Sequence, residues 1–257
     1  MKLVVSPNLS LYSQMYDFAY VGQYSDDVNL AIECVERTGG PLVDYGCATG
    51  GRVLLPVLEK GHNVIGVDQN NDMLTVARQR FSDKHLARTT LIRGDFTRTD
   101  LPMPAGTATC LLNTIVQAAD RSSHRRMLET VFRNLVEGGI FLVGIKNDNL
   151  AAYDSKGSKS RERKVVTPYG ELTFKASWDV CLSTRIKTYI FTCVLKTHTG
   201  AVLEESFRVP TFLVNADEFC LDAQEANFVV ESLWGDPKKS PYDAETSLWQ
   251  MFLLRKN

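Results

Sequence analysis

The sequence predicts a doubly wound α/β fold with a mostly parallel seven-stranded sheet and a small antiparallel β insertion. Between residues 42 and 145, short apolar runs alternate with amphipathic helical runs, which is typical of βαβ units. Because βαβ crossovers are right-handed, this alternation favours a sheet with helices on both faces. After residue 165, polar and apolar residues alternate, as expected of an antiparallel sheet with one solvated face.

Residues 1–40 predict an N-terminal helical arm or lid. A first helix is predicted over 11–24, where Tyr12, Tyr16, Tyr20 and Tyr24 recur at every fourth position and share one face. That aromatic face either docks the helix onto the body of the protein or carries phenols that reach a ligand, and the spacing alone favours docking. A second, amphipathic helix is predicted over 26–37, before the glycine pair and proline at 39–41.

Residues 41–150 predict the central α/β core. Its strands are predicted at 42–45, 63–67, 89–93, 108–112 and 140–145, and its helices at 52–60, 71–81 and 124–135. Pro56 lies inside the first of these helices and is expected to kink it. Ser122 or Ser123 is expected to cap the start of the last one.

Residues 165–210 predict the antiparallel insertion, and residues 211–257 predict the completion of the core. The preceding segment, 154–164, carries five cations and two carboxylates and is predicted to be a mobile, solvated loop. Insertion strands are predicted at 171–182, 185–196 and 201–209, followed by a helix at 217–227 and core strands at 228–233 and 247–254. Since such an insertion cannot bury both faces alone, we expect it to cover the core or to form a homo-oligomer interface.

Composition argues against several classes of function. With 29 Lys+Arg against 30 Asp+Glu, the formal net charge is -1, and the chain lacks the basic field of a duplex-binding protein. No apolar run approaches the roughly 18 residues of a membrane span, and the start MKLVVSPN is too short for a secretory signal. The six cysteines are scattered without a C-x-x-C pair, which predicts reduced core thiols in a cytoplasmic protein and no metal site.

The stretch from residue 42 to residue 68 carries the candidate binding chemistry. Asp44 lies in the first strand, the turn GCATGG follows at 46–51, and the second strand leads into Asp68. Such a unit forms a nucleoside pocket at the carboxyl edge of a parallel sheet, where the Asp68 carboxylate can accept hydrogen bonds from both ribose hydroxyls. A dinucleotide site requires G-x-G-x-x-G, whereas Ala48 stands at the second glycine position here. The Asp44 carboxylate would repel a pyrophosphate but suits the cationic amine and sulfonium of S-adenosylmethionine, so the electrostatics favour that cofactor over NAD.

Residues 42–145 resemble the class I (Rossmann-like) S-adenosylmethionine-dependent methyltransferases, with a weaker similarity to the C-terminus. Five motifs carry the resemblance in the family's order: the acid and G-x-G-x-G pattern (Asp44, Gly46, Ala48, Gly50), the stretch DQNNDML from Asp68, the triplet GDF at 94–96, the strand end at 112–115, and Gly138-Gly139. The chain departs from the pattern at Ala48, which costs about 1 kcal/mol if the backbone there is left-handed.

The resemblance implies a set of cofactor-binding residues. Asp68 would hold the ribose, Gln69 and Met73 would flank the adenine, and the Asp95 carboxylate would accept from the adenine amine. Asn113 would lie beside the methionine moiety, and Cys47 would contribute its backbone. The full implied set is Asp44, Gly46, Cys47, Gly50, Asp68, Gln69, Met73, Asp95, Phe96, Asn113 and Tyr16.

The methyl acceptor is predicted to be a small molecule. The D-P-P-Y signature of exocyclic base methylation is absent after strand four, where the sequence reads NTIVQAAD. The arm YSQMYD at 12–17 resembles that of N-methyltransferases acting on nucleotide-linked amino sugars and glycine-like amines, which closes over the cofactor. This second resemblance implies roles for Tyr16 at the cofactor and Tyr24 at the acceptor. Trp178 is either a wall of the acceptor pocket or a core residue, and His124 is either on the acceptor side or an exposed first-turn residue.

The sequence therefore predicts an S-adenosylmethionine-dependent methyltransferase that acts on a small metabolite, at nitrogen in preference to oxygen. The mechanism is an in-line displacement that needs no protein nucleophile, and no residue is assigned a catalytic role. Nucleic acids and membranes are not expected partners. The alternatives are a small-molecule O-methyltransferase, a non-catalytic S-adenosylmethionine-binding protein and an NAD-dependent oxidoreductase.

Overall fold

Two β-sheets organise the computed structural model, which describes residues 5–22, 25–118, 120–148 and 159–257. The larger sheet has seven strands in the order β10-β11-β5-β4-β1-β2-β3. Strands β1 to β5 run parallel to their neighbours within that group, and β11 runs antiparallel to both β5 and β10. The predicted mostly parallel seven-stranded sheet is therefore confirmed. The strands of this sheet are β1 Leu42–Tyr45, β2 Val64–Asp68, β3 Thr89–Arg93, β4 Ala105–Cys110, β5 Leu135–Lys146, β10 Phe228–Trp234 and β11 Trp249–Lys256.

Helices cover both faces of the large sheet because apolar side chains alternate between its two sides. In β1, Val43 and Tyr45 pack in the core layer of α6 and α7, whereas Leu42 packs in the layer of α2 and α3. All of these strand residues are fully buried, as expected of a doubly wound sheet. The helices are α1 Leu11–Tyr20, α2 Ser25–Thr38, α3 Leu54–Glu59, α4 Asn71–Arg80, α5 Asp83–Leu86, α6 Arg121–Asn134 and α7 Ala216–Glu225, with a short 3-10 helix at Ile115–Gln117.

The smaller sheet is the antiparallel insertion, and the order of its strands follows the chain. Its strands are β6 Lys159–Thr167, β7 Gly170–Cys181, β8 Ile186–Thr197 and β9 Val202–Phe212. Leu11 and Met15 of α1 pack against Leu172 and Leu195 on one face of this sheet. The N-terminal arm therefore fills part of the face that the insertion cannot bury by itself.

The structure corrects the expected loop at 154–164. Residues 159–164 belong to β6, which is paired with β7 along its whole length. β6 is an edge strand, and a run of charged side chains is typical of such strands because it discourages pairing with other chains. The charge that suggested a solvated loop therefore marks a protected sheet edge, and residues 154–158 lie outside the described residues.

Several predicted boundaries also change. The N-cap of α6 is Asp120, whose Oδ1 accepts a hydrogen bond from the Ser123 N–H at 2.7 Å, and not Ser122 or Ser123. Pro56 is the third residue of α3 and causes no interior break, because its missing N–H falls in the first turn. The first helix ends at Tyr20, the predicted Tyr24 lies outside the described residues, and the short α5 was not predicted. Among the cysteines, Cys181 is exposed at the end of β7 and is not a core thiol.

Candidate active site

A cavity of about 530 Å³ lies at the carboxyl edge of the large sheet, under α1 and the inner face of the smaller sheet. This size is within the usual range for small-molecule sites. Parallel strands place their carboxyl ends at one edge of the sheet. On one side of the sheet the chain proceeds outward from β1 through β2 to β3, and on the other side it proceeds outward from β4 to β5. The order of the strands therefore changes direction between β1 and β4, and ligands bind at such a point. The cavity brings together eight of the predicted residues: Tyr16, Gly46, Asp68, Gln69, Met73, Phe96, Asn113 and Trp178.

The turn after β1 adopts a backbone that permits close approach of a ligand. Gly46 has φ +78°, and a Cβ there would lie 2.2 Å from the Thr114 Cγ2, so no larger residue fits without movement. Ala48 has φ +49°, which is the left-handed conformation under which its replacement of glycine carries a cost. The Ala48 N–H donates to the Asp68 Oδ2 at 2.8 Å, and this bond ties the turn to the end of β2.

Asp68 is held in place by backbone donors and still faces the cavity. Its Oδ1 accepts from the Asn70 N–H at 2.8 Å, while its Oδ2 accepts from Ala48. Burial raises the pKa of Asp68, and these two backbone hydrogen bonds oppose that rise. Because each carboxylate oxygen has two lone pairs, each keeps one for a ligand hydroxyl.

Three other residues of the predicted motif do not line the cavity, namely Asp44 of β1 and Cys47 and Gly50 of the turn. Asp44 is buried, and its Oδ1 accepts from the Thr109 hydroxyl at 2.7 Å. Burial raises the pKa of Asp44 to about 7, and a cationic ligand nearby would favour its ionised form. Cys47 is buried beside the turn. A Cβ on Gly50 would lie 2.7 Å from the Phe81 Cζ, so this glycine serves helix packing and not ligand contact.

The end of β4 supplies a second strained segment beside the cavity. Leu112 and Asn113 are both left-handed, with φ of +53° and +67°. The Asn113 N–H donates to the Gly144 carbonyl at 2.9 Å, and its Oδ1 accepts from the Lys146 N–H at 2.8 Å. Non-glycine residues with a left-handed backbone are energetically costly, and they tend to cluster at functional sites. The hydrogen bonds from β5 hold Asn113 at the cavity wall.

Asp95 and His124 lie outside the cavity lining. The Asp95 Oδ1 accepts from the N–H of Thr97 and from its hydroxyl, at 2.9 and 2.8 Å, and Arg98 lies 3.2 Å from its other oxygen. His124 is 2% exposed and contacts the Phe212 ring edge-to-face at 5.5 Å. Burial lowers the pKa of His124 to about 4. His124 is therefore a neutral core residue in this structure, neither exposed nor placed at the acceptor.

The tyrosines of α1 line the cavity, while the apolar face of the helix docks on the small sheet. The rings of Tyr12 and Tyr16 lie 5.7 Å apart, and those of Tyr16 and Tyr20 lie 4.5 Å apart. Burial raises the pKa of Tyr16, so its phenol stays neutral. The Tyr12 ring also packs against Phe174 and Phe207 of the small sheet, so the tyrosine face takes part in docking. That the phenols reach a ligand stays a prediction.

Hydrogen bonds and an ion pair fix α1 over the site. The Asp17 carboxylate accepts from the Thr49 hydroxyl in the turn at 2.5 Å and pairs with Arg80 of α4. At the other end of α1, the Ser10 N–H donates to the Asp72 Oδ2 at 2.8 Å. α4 begins three residues after Asp68, so this helix connects the arm to the end of β2.

The inner face of the small sheet contributes cavity residues that sequence reasoning missed. Among them are Arg161, Tyr189, Phe191, Glu205 and Phe207. Their alternation along each strand was visible in the sequence, but the register that aligns them with Trp178 was not. Trp178 lines the cavity and is 8% exposed, so it is both a wall and a buried residue.

The described ranges, residues 5–22, 25–118, 120–148 and 159–257, contain neither a candidate metal site nor a membrane-spanning helix. No group of three or more His, Cys, Asp or Glu side chains in those ranges is placed to hold a metal ion. No helix in the part of the chain that the structure describes has the length and apolar character needed to cross a membrane.

Comparisons with known proteins agree with this geometry. Residues 42–139 match the family model described as a methyltransferase domain. No curated protein matches the sequence significantly. Three solved structures share the fold with a TM-score of 0.76 each: the CcbJ methyltransferase from Streptomyces caelestis (18% identity, 95% of this chain and 96% of that chain covered), DesVI from Streptomyces venezuelae (17%, 96% and 97%) and the sugar N-methyltransferase KedS8 from Streptoalloteichus sp. (17%, 100% and 97%).

At these identities the structural likeness establishes the fold alone, while the family model covers the segment that carries the turn, Asp68 and Asn113. The pocket residues also fit the cofactor, since Asp68 lines the cavity and each of its oxygens retains a lone pair for a ligand hydroxyl. The domain match places a methyltransferase domain at residues 42–139, and the chain shares its fold with solved S-adenosylmethionine-dependent methyltransferases.

Proposed function

We propose that the protein transfers a methyl group from S-adenosylmethionine to a nitrogen atom of a small-molecule acceptor. The observation that carries the proposal is the continuity of the cavity, which runs from the Asp68 edge to the aromatic inner face of the small sheet. One space thus offers a polar end for a nucleoside and a largely aromatic end for a second ligand. When bound, the cofactor supplies a sulfonium-activated methyl group.

Within this proposal, the edge of the large sheet binds the cofactor. Asp68 accepts hydrogen bonds from the ribose hydroxyls, and Gln69 and Met73 flank the adenine. Asn113, held by β5, lies at the methionine moiety. Asp44 acts from behind the turn as a buried acid that favours a cationic ligand, and Asp95 and Phe96 are assigned to the adenine side.

The arm and the insertion complete the proposed site. Residues 1–40 act as a lid whose Tyr16 ring covers the cofactor, and the insertion predicted at 165–210 provides the acceptor wall with Trp178. The lid excludes water, and the wall orients the acceptor lone pair along the S–CH3 bond. Orientation of this kind can supply a large part of a rate enhancement without a protein nucleophile.

Nitrogen is favoured over oxygen as the methylated atom. A neutral amine needs little more than orientation and desolvation, whereas a hydroxyl usually needs a base. His124, for which the sequence left a place on the acceptor side open, is buried and does not line the cavity. KedS8, which shares the fold, is described as a sugar N-methyltransferase, and this supports the same chemistry here.

A labelling experiment tests the proposal. The purified protein is incubated with methyl-labelled S-adenosylmethionine and a panel of amines, each paired with the alcohol of the same carbon skeleton. We expect label on nitrogen, with formation of one S-adenosylhomocysteine per methyl group. Label on the alcohols alone would favour the O-methyltransferase alternative. Binding of S-adenosylhomocysteine without labelling of any acceptor would favour a non-catalytic binding protein.

A further inference from the structure

Glu205 of β9 is a carboxylate in the acceptor part of the cavity that the methyl-transfer chemistry above does not use. It faces the cavity, and its Oε2 accepts a hydrogen bond from the Tyr12 N–H at 2.9 Å. Within the described ranges, no lysine, arginine or histidine forms an ion pair with Glu205, and its Oε1 accepts no hydrogen bond. An ionised carboxylate offers about four acceptor positions, so most of its capacity is unused.

Three aromatic rings line the cavity together with this carboxylate. Phe207 lies two residues further along β9 and therefore on the same face of the sheet. The Tyr12 ring lies 4.6 Å from the Phe207 ring, and Phe191 stacks on Phe207 at 5.6 Å. All three rings line the cavity with Glu205.

A carboxylate among aromatic rings is an environment that selects organic cations. The faces of phenyl and phenol rings attract an ammonium group, and a charge-assisted hydrogen bond to a carboxylate is stronger than a neutral one. A hydroxyl group of the same size gains little from either interaction. The second cavity acid, Asp68, belongs to the end of β2 in the large sheet and is already bonded to two backbone donors.

We propose that Glu205 binds the protonated nitrogen of the acceptor and takes one of its protons, which frees the lone pair that attacks the methyl carbon as the S–CH3 bond breaks; the proton then passes from Glu205 to solvent. The substrate class is therefore an amine that is cationic at neutral pH. This inference rests on the proposed N-methyltransferase function and adds the residue that recognises the acceptor. The same contact holds the methylated ammonium product. The Tyr12 N–H orients the carboxylate, so the arm that covers the cofactor also positions the acceptor-binding group.

The sequence offers a closely matched pair of variants for the test. Glu205→Gln removes the charge but keeps an amide oxygen that can accept from the Tyr12 N–H. Glu204→Gln makes the same change one residue away, at an exposed position on the opposite face of β9. Urea unfolding of both variants checks that neither substitution disturbs the fold.

The probes are benzylammonium chloride and benzyl alcohol, which share a ring and differ in charge. Their binding is measured by calorimetry with and without saturating S-adenosylhomocysteine. We expect wild-type protein to prefer benzylammonium by about tenfold or more, as a charge-assisted hydrogen bond implies. Glu205→Gln should abolish this preference, and Glu204→Gln should retain it.

Each contrary result has a separate meaning. Absence of the preference in the wild type, its survival in Glu205→Gln, or its equal loss in Glu204→Gln would overturn the assignment of Glu205. Failure of S-adenosylhomocysteine to bind would instead refute the proposed function, and the measurements without it would still test the cation site.

Discussion

Replacement of Asp68 by alanine tests the ribose assignment. In the structure each Asp68 oxygen has one backbone donor and one lone pair left for a ligand, so the substitution removes two charge-assisted contacts to the cofactor. One hydrogen bond to a charged group contributes about 1.5–3 kcal/mol, and because two are removed we take that range as the smallest expected loss in binding free energy. A loss of that size raises the dissociation constant of S-adenosylhomocysteine by roughly 10- to 150-fold.

Isothermal calorimetry measures that constant directly. The variant also leaves the N–H of buried Ala48 without its acceptor, at a cost of about 1–3 kcal/mol, whereas the N–H of exposed Asn70 can bond to water, so urea unfolding must show that the variant is folded. Asp100→Ala is the control, because Asp100 is exposed and its ion pair with Arg133 is of the kind that contributes little. A dissociation constant for Asp68→Ala equal to that of the wild type would refute the ribose assignment.

Three further predictions concern stability and are measured by urea unfolding. Gly46→Ala should destabilise the fold for two reasons: an alanine with a left-handed backbone costs about 1–2 kcal/mol, and its Cβ overpacks against Thr114 at a cost of about 1–3 kcal/mol. The additional substitution Thr114→Ser removes the contacting Cγ2. The double variant should therefore recover the free energy lost to overpacking, and not the backbone cost. Burial raises the pKa of Asp44 to about 7, so the contribution of this carboxyl to the free energy of unfolding is complete below about pH 4 and is lost as the pH rises through 7. In Asp44→Asn this pH dependence should disappear. An unchanged pH profile in the variant would contradict the raised pKa of Asp44. Arg52→Leu should cost about 3–5 kcal/mol, because the Arg52 Nη1 lies 2.8 and 3.0 Å from the two oxygens of buried Asp27; a loss below about 1 kcal/mol would argue against a paired buried charge.

The nucleotide end of the site was predictable because its residues follow one another along a single βαβ unit. Strand β1, the turn and strand β2 lie within 27 consecutive residues, from Leu42 to Asp68, and parallel strands necessarily end at one edge. Gly46 and Asp68 therefore appear where the motif predicts them. Gly50 shows the limit of that reasoning, because its close neighbour is Phe81 and not the cavity.

The acceptor end was not predictable from the sequence alone. Glu205 and Phe207 reach the cavity through the register of β9 on β8 and through the docking of α1, and neither is written in local spacing. His124 is a first-turn residue by sequence, but the Phe212 ring covers it from a segment 88 positions away. Tertiary packing decides such cases, and a motif on one strand cannot anticipate it.

A crystal structure of the protein with S-adenosylhomocysteine tests the central claim most directly. We predict that both ribose hydroxyls will lie within hydrogen-bonding distance of the Asp68 carboxylate, with the sulfur facing the part of the cavity that Glu205 and Phe207 line. An adenosyl group bound away from the carboxyl edge of β1 and β2, or a sulfur directed away from the small sheet, would contradict the account.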